Sequence, residues 1–179
     1  DPARKIAVIP HFAMPPPPPG DSDIRGEFGI PDDRPLLVTA GFATKVKRFD
    51  WVAAAVARLL RAGRPLHWVH AGAERQTEYD LSGLVAQDAE LAAATTITGF
   101  VSADRLDRLI AEADVTINLR FPSVGESSGT LARAMAAGRC CIVTKTAAYD
   151  GLPDNAVVKI SPFDATDELT AALDILLDR

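Results

Sequence analysis

At 179 residues the chain is long enough for one α/β domain with a substantial core, while two full domains would be a squeeze. Its hydrophobic share of 47% and charged share of 24% are ordinary for a globular domain. A formal charge of −5 argues against a general nucleic-acid binder, which needs a basic face, but leaves room for one phosphate group held by a few local cations and a helix N-terminus.

The only two cysteines are the neighbours Cys140 and Cys141, inside the apolar run Cys140-Cys141-Ile142-Val143. They cannot staple distant segments and lack the spacing of zinc ligands, so they read as small strand residues in a reducing compartment. No apolar stretch reaches the roughly 18 residues that span a bilayer, and no signal peptide is visible; the expected location is the cytoplasm. The start, Asp1-Pro2-Ala3, lacks an initiator Met and reads as a cut end.

In chain order, Lys5 to Pro10 is a short β-rich run, and the five prolines Pro15 to Pro19 with Gly20 form a stiff extended connector. Residues 1–20 are thus set apart from a domain over 21–179. Leu36 to Ala40 is a predicted strand, followed by an amphipathic helix from about Asp50 to Ala62 that Gly63 and Pro65 end. Leu66 to Ala71 is a strand, and Thr77 to Leu91 a polar helical stretch. Thr95 to Thr98 is a strand, and Ala103 to Ala111 a helix opened by Ser102 with Arg105 three residues on. Val115 to Leu119 is a strand, and Gly129 to Ala137 a helix closed by Gly138. Strands over Cys140–Thr144 and Val157–Ile160 follow, then a last helix from Asp164 to Leu177.

Short apolar strands without polar alternation, each followed by a helix, predict a parallel sheet covered on both faces. About six of them give an open, doubly wound α/β fold whose ligands sit at the C-terminal strand edges. Chemistry is therefore sought in the loops after Ala40, Ala71, Thr98 and Leu119.

The loop after Leu119 runs Arg120-Phe121-Pro122-Ser123-Val124-Gly125-Glu126-Ser127-Ser128-Gly129-Thr130 into a helix. Small residues at a helix start leave backbone N–H groups open, and with the helix dipole they form an anion site; an ordinary N-cap at Ser127 or Ser128 is the plain alternative. Gly125-Glu126-Ser127-Ser128-Gly129 also matches the nucleophile elbow of α/β-hydrolases, but that reading needs a histidine after the serine, and His11, His67 and His70 all precede it.

The loop after Ala40 places Gly41 directly at a strand end and then Lys45, Lys47 and Arg48, cations that suit a diphosphate or form an ordinary solvated surface. It is not a Walker A loop, and no G-x-G-x-x-G occurs. Gly99-Phe100-Val101-Ser102 offers backbone groups and an apolar wall to a base, or is a plain turn; Gly72 is a weaker case of the same kind. His67 and His70 lie three apart in a strand, face opposite sides and make poor co-ligands for a metal.

Taken in register, Val8-Ile9-Pro10-His11, Val38-Thr39-Ala40-Gly41 with Lys47, Val69-His70-Ala71-Gly72, Thr98-Gly99-Phe100-Val101, Ala113 to Ile117, and Pro122-Ser123 through Glu126 to Arg133 and Gly138 resemble one known domain. It is the C-terminal, donor-binding domain of retaining GT-B glycosyltransferases of the group 1 (family 4) kind. The resemblance implies a Rossmann-like domain, one half of a GT-B fold, that binds a UDP- or GDP-sugar without metal while a separate N-terminal domain binds the acceptor.

By that resemblance Lys47 binds the donor diphosphate, and backbone amides at Ser128, Gly129 and Thr130 hold the distal phosphate. Glu126 contacts the donor sugar and is the candidate catalytic residue. Gly41 flanks the diphosphate, and Phe100 and Val101 pack against the base. Three departures stand out: Phe42 occupies a position where the family often has arginine, Arg133 stands where a second glutamate usually holds the ribose, and the loop after Pro122 is one residue short. Arg120 is the candidate replacement for the missing cation.

The function expected is donor binding for sugar transfer with retention, in cell-surface glycan synthesis, with the full-length protein peripheral to the inner membrane. Without an acceptor domain the chain alone is expected to turn over no substrate. Two rivals remain: a non-catalytic nucleotide-sugar module or pseudo-transferase, and a generic interaction module.

Overall fold

The structure is a computed structural model that describes residues 11–13, 15 and 23–178. The strand expected at 5–10, and the proline tract apart from Pro15, lie outside the described residues.

Six strands form the sheet: β1 (Leu36–Ala40), β2 (His67–Ala71), β3 (Thr95–Gly99), β4 (Val115–Asn118), β5 (Cys140–Thr144) and β6 (Val158–Ile160). Every pairing is parallel, and the spatial order is β3-β2-β1-β4-β5-β6. Helices α1 (Ile24–Phe28), α2 (Phe49–Arg61), α3 (Leu81–Ala86), α4 (Ala89–Ala93), α5 (Ala103–Glu112), α6 (Gly129–Ala136) and α7 (Ala165–Leu176) cover its two faces. This is the open, doubly wound, Rossmann-like arrangement that the strand pattern predicts.

The four inner strands, β1, β2, β4 and β5, are buried on both sides because each side meets a helical layer, while the edge strands β3 and β6 are only half-buried. Leu37, Trp68, Val115, Ile117 and Ile142 point into the core under α2, α3, α4 and α7. Leu36, Val38, Val69, Cys141 and Val143 point into a second core under α1, α5 and α6. Helix α2 presents Phe49, Val52, Val56, Leu59 and Leu60, all buried, at helical spacing to the first core. The two histidines follow the same alternation. His67 bonds Thr96 Oγ1 at 2.9 Å, while His70 turns the other way, against Phe49 at 4.6 Å between ring centroids.

Two expectations need correction. The single helix expected over Thr77–Leu91 is two short ones, α3 and α4, set by capping. Asp80 accepts the Gly83 N–H, and Asp88 accepts the N–H groups of Glu90 and Leu91, so each carboxylate starts a new helix. Helix α1 was not foreseen. It is opened by the Asp23 side chain and closed by Gly29 in the left-handed conformation, but its five residues are too few to show a period.

The sheet order fixes where ligands can go. From β1 the chain winds outward to β3 and then returns to β4 on the other side of β1. Helices leaving β1 and β4 therefore diverge to opposite faces, and a crevice opens at the C-terminal ends of these two strands.

Candidate functional site

Gly41 and Lys47 come from the loop leaving β1, and Arg120 and Glu126 from the loop leaving β4, so the crevice gathers them. Gly41 has φ 93, and a Cβ placed there would stand 2.7 Å from Lys47 Nζ. Only glycine both adopts that backbone and leaves the ammonium in place. On its other side, a Cβ on Gly72 would meet the Gly41 carbonyl oxygen at 2.2 Å, so two glycines let the loops after β1 and β2 touch.

The Lys47 backbone N–H donates to the Thr44 carbonyl at 3.1 Å, but its ammonium makes no hydrogen bond or ion pair with any described residue. Burial, reinforced by the charge of Arg120, lowers its pKa from 10.5 to about 8. Arg120 is itself tucked in, with its side chain 12% exposed. Its guanidinium donates to the Leu119 carbonyl at 3.0 Å and stands 3.4 Å from Glu126 Oε1, while its backbone N–H donates to Thr144 Oγ1. Two cations thus line one crevice at the strand ends, and among the described residues Glu126 is the carboxylate that pairs with Arg120. Their mutual repulsion is relieved by an anion, which is what the arrangement can hold chemically.

Glu126 folds back on its own loop. Its Oε2 accepts the Val124 N–H at 2.9 Å and the Ser123 hydroxyl at 3.1 Å. Burial works against the ionised form, but backbone and Ser123 hydrogen bonds together with Arg120 outweigh it and hold the carboxyl below its usual range. A group kept ionised in this way stabilises positive charge and is a poor proton donor.

The start of α6 supplies the third element. Ser128 Oγ accepts the Leu131 N–H, and the amides of Gly129 and Thr130 make no hydrogen bond among the described residues, leaving donors at the positive end of the helix. A buried polar chain fixes this end. Asn118 at the tip of β4 donates to Thr130 Oγ1 at 2.9 Å and accepts the Tyr149 hydroxyl at 2.7 Å, and Thr130 Oγ1 lies 3.1 Å from Ser128 Oγ. The sequence reading assigned no role to Asn118 or Tyr149; a polar residue ending a buried strand is the signal that marks Asn118. His11, likewise unassigned, stands over Gly129, where an added Cβ would meet its Nε2 at 3.0 Å.

The remaining candidates lie around this centre. Phe100 is 85% exposed at the tip of the loop after β3, and Val101 packs on the core beneath α5. Arg133, on α6, is committed to Asp107 of α5 at 2.5 Å. Phe42 is exposed, and the guanidinium of Arg75 sits 5.7 Å above its ring, so a cation reaches this position from the loop after β2. Among the described residues no group of His, Cys, Asp or Glu has the makings of a metal site, and no helix is long and apolar enough to cross a membrane.

Fold and site define a class: a doubly wound α/β domain with an anion-seeking centre at its topological switch point. The profile of the family described as "Glycosyl transferases group 1" matches residues 34–179, and the chain belongs to that family. It shares its fold with HepE of Anabaena, solved with UDP-glucose, at 15% identity and a TM-score of 0.75, covering 89% of this chain and 44% of that one. Sucrose-phosphate synthase of Thermosynechococcus elongatus is 24% identical with a TM-score of 0.69, covering 87% and 39%. The C-terminal domain of LpcC, a group 1 family glycosyl transferase of Francisella tularensis, is 18% identical with a TM-score of 0.68, covering 90% and 85%. The chain therefore spans less than half of the two longer neighbours and most of the one solved as a C-terminal domain, and has the fold of one half of a GT-B glycosyltransferase. No curated protein sequence matches it.

Proposed function

We propose that this chain is the donor-binding half of a retaining glycosyltransferase, taking a UDP- or GDP-sugar across the ends of β1 and β4 for cell-surface glycan synthesis. The observation that carries this reading is that Lys47 and Arg120, two partly buried cations, line one crevice with Asn118, whose side chain bonds Thr130 at the start of α6. In this mechanism Lys47, Arg120 and the Gly129 and Thr130 amides stabilise the leaving diphosphate, and no metal takes part. Glu126, held ionised, supports the sugar as positive charge develops at its anomeric carbon. Phe100 and Val101 line the base, Gly41 lets Lys47 approach, and residues 21–179 form the binding domain with 1–20 as its lead-in. A separate N-terminal domain supplies the acceptor, and the whole protein works at the cytoplasmic face of the inner membrane.

Calorimetric titration with UDP and GDP is the direct test. We expect one of the two to bind, and Lys47→Ala to weaken it at least tenfold, since a charge-assisted hydrogen bond is worth about 1.5–3 kcal/mol. Binding of neither nucleotide sinks the reading. The chain alone is expected to transfer no sugar, and detected transfer overturns that part.

A second reading, a nucleotide-sugar module without catalysis, is favoured by Arg133, whose pairing with Asp107 leaves no carboxylate at that place on α6. Transfer by the full-length protein that survives both Lys47→Ala and Glu126→Ala supports this rival.

A further inference from the structure

A cavity of about 750 Å³ lies apart from the crevice at Lys47. It opens behind the same two loops, between the turn after β1, the length of α3 with its two flanks, and the first residues after β4. The residues that give it character are Arg48, Asp50, Tyr79, Asp80, Gln87 and Phe121. Its size falls in the range of small-molecule sites, roughly 300–1,000 Å³.

Local features set it apart from a packing defect. Arg48 holds φ 52, a left-handed conformation uncommon for any residue but glycine, and it is the only such non-glycine among the described residues. Its guanidinium is locked by Asp50 at 3.0 and 2.6 Å and lies 3.8 Å from the centre of the Trp51 ring. The Tyr79 hydroxyl is shielded from solvent without a well-formed hydrogen bond, its neighbour being the Asp50 backbone. A buried hydroxyl left over in this way is an open donor and acceptor at the cavity wall.

The charges select the ligand. Lys45 and Arg48 face Asp50 and Asp80, and Arg48 is already neutralised by Asp50. A phosphate would meet two carboxylates, and a cationic peptide would meet two bases. Tyr79 and Phe121 bring aromatic surface, while Arg48, Asp50 and Gln87 bring planar polar groups with several donors and acceptors. Apolar ring faces with fixed polar groups at the edges match a polyhydroxylated, uncharged molecule.

We propose that this cavity is a carbohydrate-binding subsite for neutral sugar residues, those of the recipient glycan that extend past the part held by the N-terminal domain. The binding of a neutral glycan rests on the cavity alone; its role as recipient rests on the donor reading above. The placement fits that role. The Phe121 N–H donates to the Val46 carbonyl at 2.8 Å, joining the two loops, so an occupant lies one loop's thickness from Lys47.

The test is retention of the protein on an array of immobilised neutral and acidic oligosaccharides, with and without UDP and GDP, alongside nucleotide calorimetry. Gln87→Trp fills the cavity from an exposed position at the end of α3, and Tyr79→Phe deletes the unused hydroxyl. We expect retention on a subset of neutral glycans, a loss of at least tenfold in Gln87→Trp, a smaller loss in Tyr79→Phe, and unchanged nucleotide affinity in both. If Gln87→Trp does not fold, Gln87→Ala with Tyr79→Phe gives the same comparison. Retention on acidic glycans only, on none, or undiminished in the variants overturns the proposal. Glycan retention with no nucleotide binding leaves the subsite standing and removes only its role as recipient.

Discussion

Lys47 is a lysine made half-neutral near pH 8 by its surroundings, and that gives donor binding a pH signature. A diphosphate beside it restores the charged form, so its pKa is higher in the complex than in the free protein. Affinity is then full below about pH 8 and falls as the pH rises through that value. Titration of the bound nucleotide by calorimetry between pH 7 and 9.5 checks this; a flat profile, matched by Lys47→Ala, refutes it. His70 behaves oppositely, with no role in the range where proteins work. Burial first, and Lys47 second, push its pKa to about 3, so its ring carbons in NMR spectra are expected to hold their shifts down to about pH 4. Asn118 is where the site leans on the core. Asn118→Ala strands the Tyr149 hydroxyl and frees Thr130, which is expected to lower stability by about 1–3 kcal/mol in urea unfolding and to weaken nucleotide binding as well. Of these residues, Lys47 was legible as a basic loop position after a strand-end glycine. Asn118 and Tyr149 were not, because 31 residues separate partners that only the fold brings together.

Among the elements, strands were the most readable and short helices the least. Residues 36–38 and 140–143 are short apolar runs, and their length and the turn residues of the helices on either side separate a strand buried on both faces from a buried helix segment. The break between α3 and α4 was invisible because Asp80 and Asp88 look like ordinary polar positions of a surface helix until the chain turns and they become caps. Asp88 also pairs with Arg61 at 2.6 Å. Replacing it by alanine is expected to lower the unfolding midpoint, nearly all through loss of the cap, with nucleotide affinity untouched. An unchanged unfolding midpoint would mean that α4 is held by Leu91 in the core rather than by its cap.

For the whole molecule, alternation of strand and helix was enough to indicate a doubly wound sheet, and hence which edge carries the ligand. What the alternation did not reveal is how shallow that edge is. The crevices beside Lys47 and beside α6 are each only about 10 Å³, far too small for a nucleotide sugar, so the proposed donor would lie on a surface and not in a hole. A second domain closing over it would complete the enclosure, which is why the proposed transfer is expected only when both halves are present. The larger cavity behind the loops escaped sequence reading entirely, since its walls come from three separated stretches of chain.

The hydrogen bond from Phe121 to Val46 ties the loop of Lys47 to the loop of Glu126 by their backbones, where no substitution short of proline at 121 removes it. Loop exchange between relatives, a common route to new specificity, therefore cannot treat these two loops as separate cassettes. A graft of either one alone inherits the other's register, and selection for a new donor and a new recipient glycan acts on a single inherited unit.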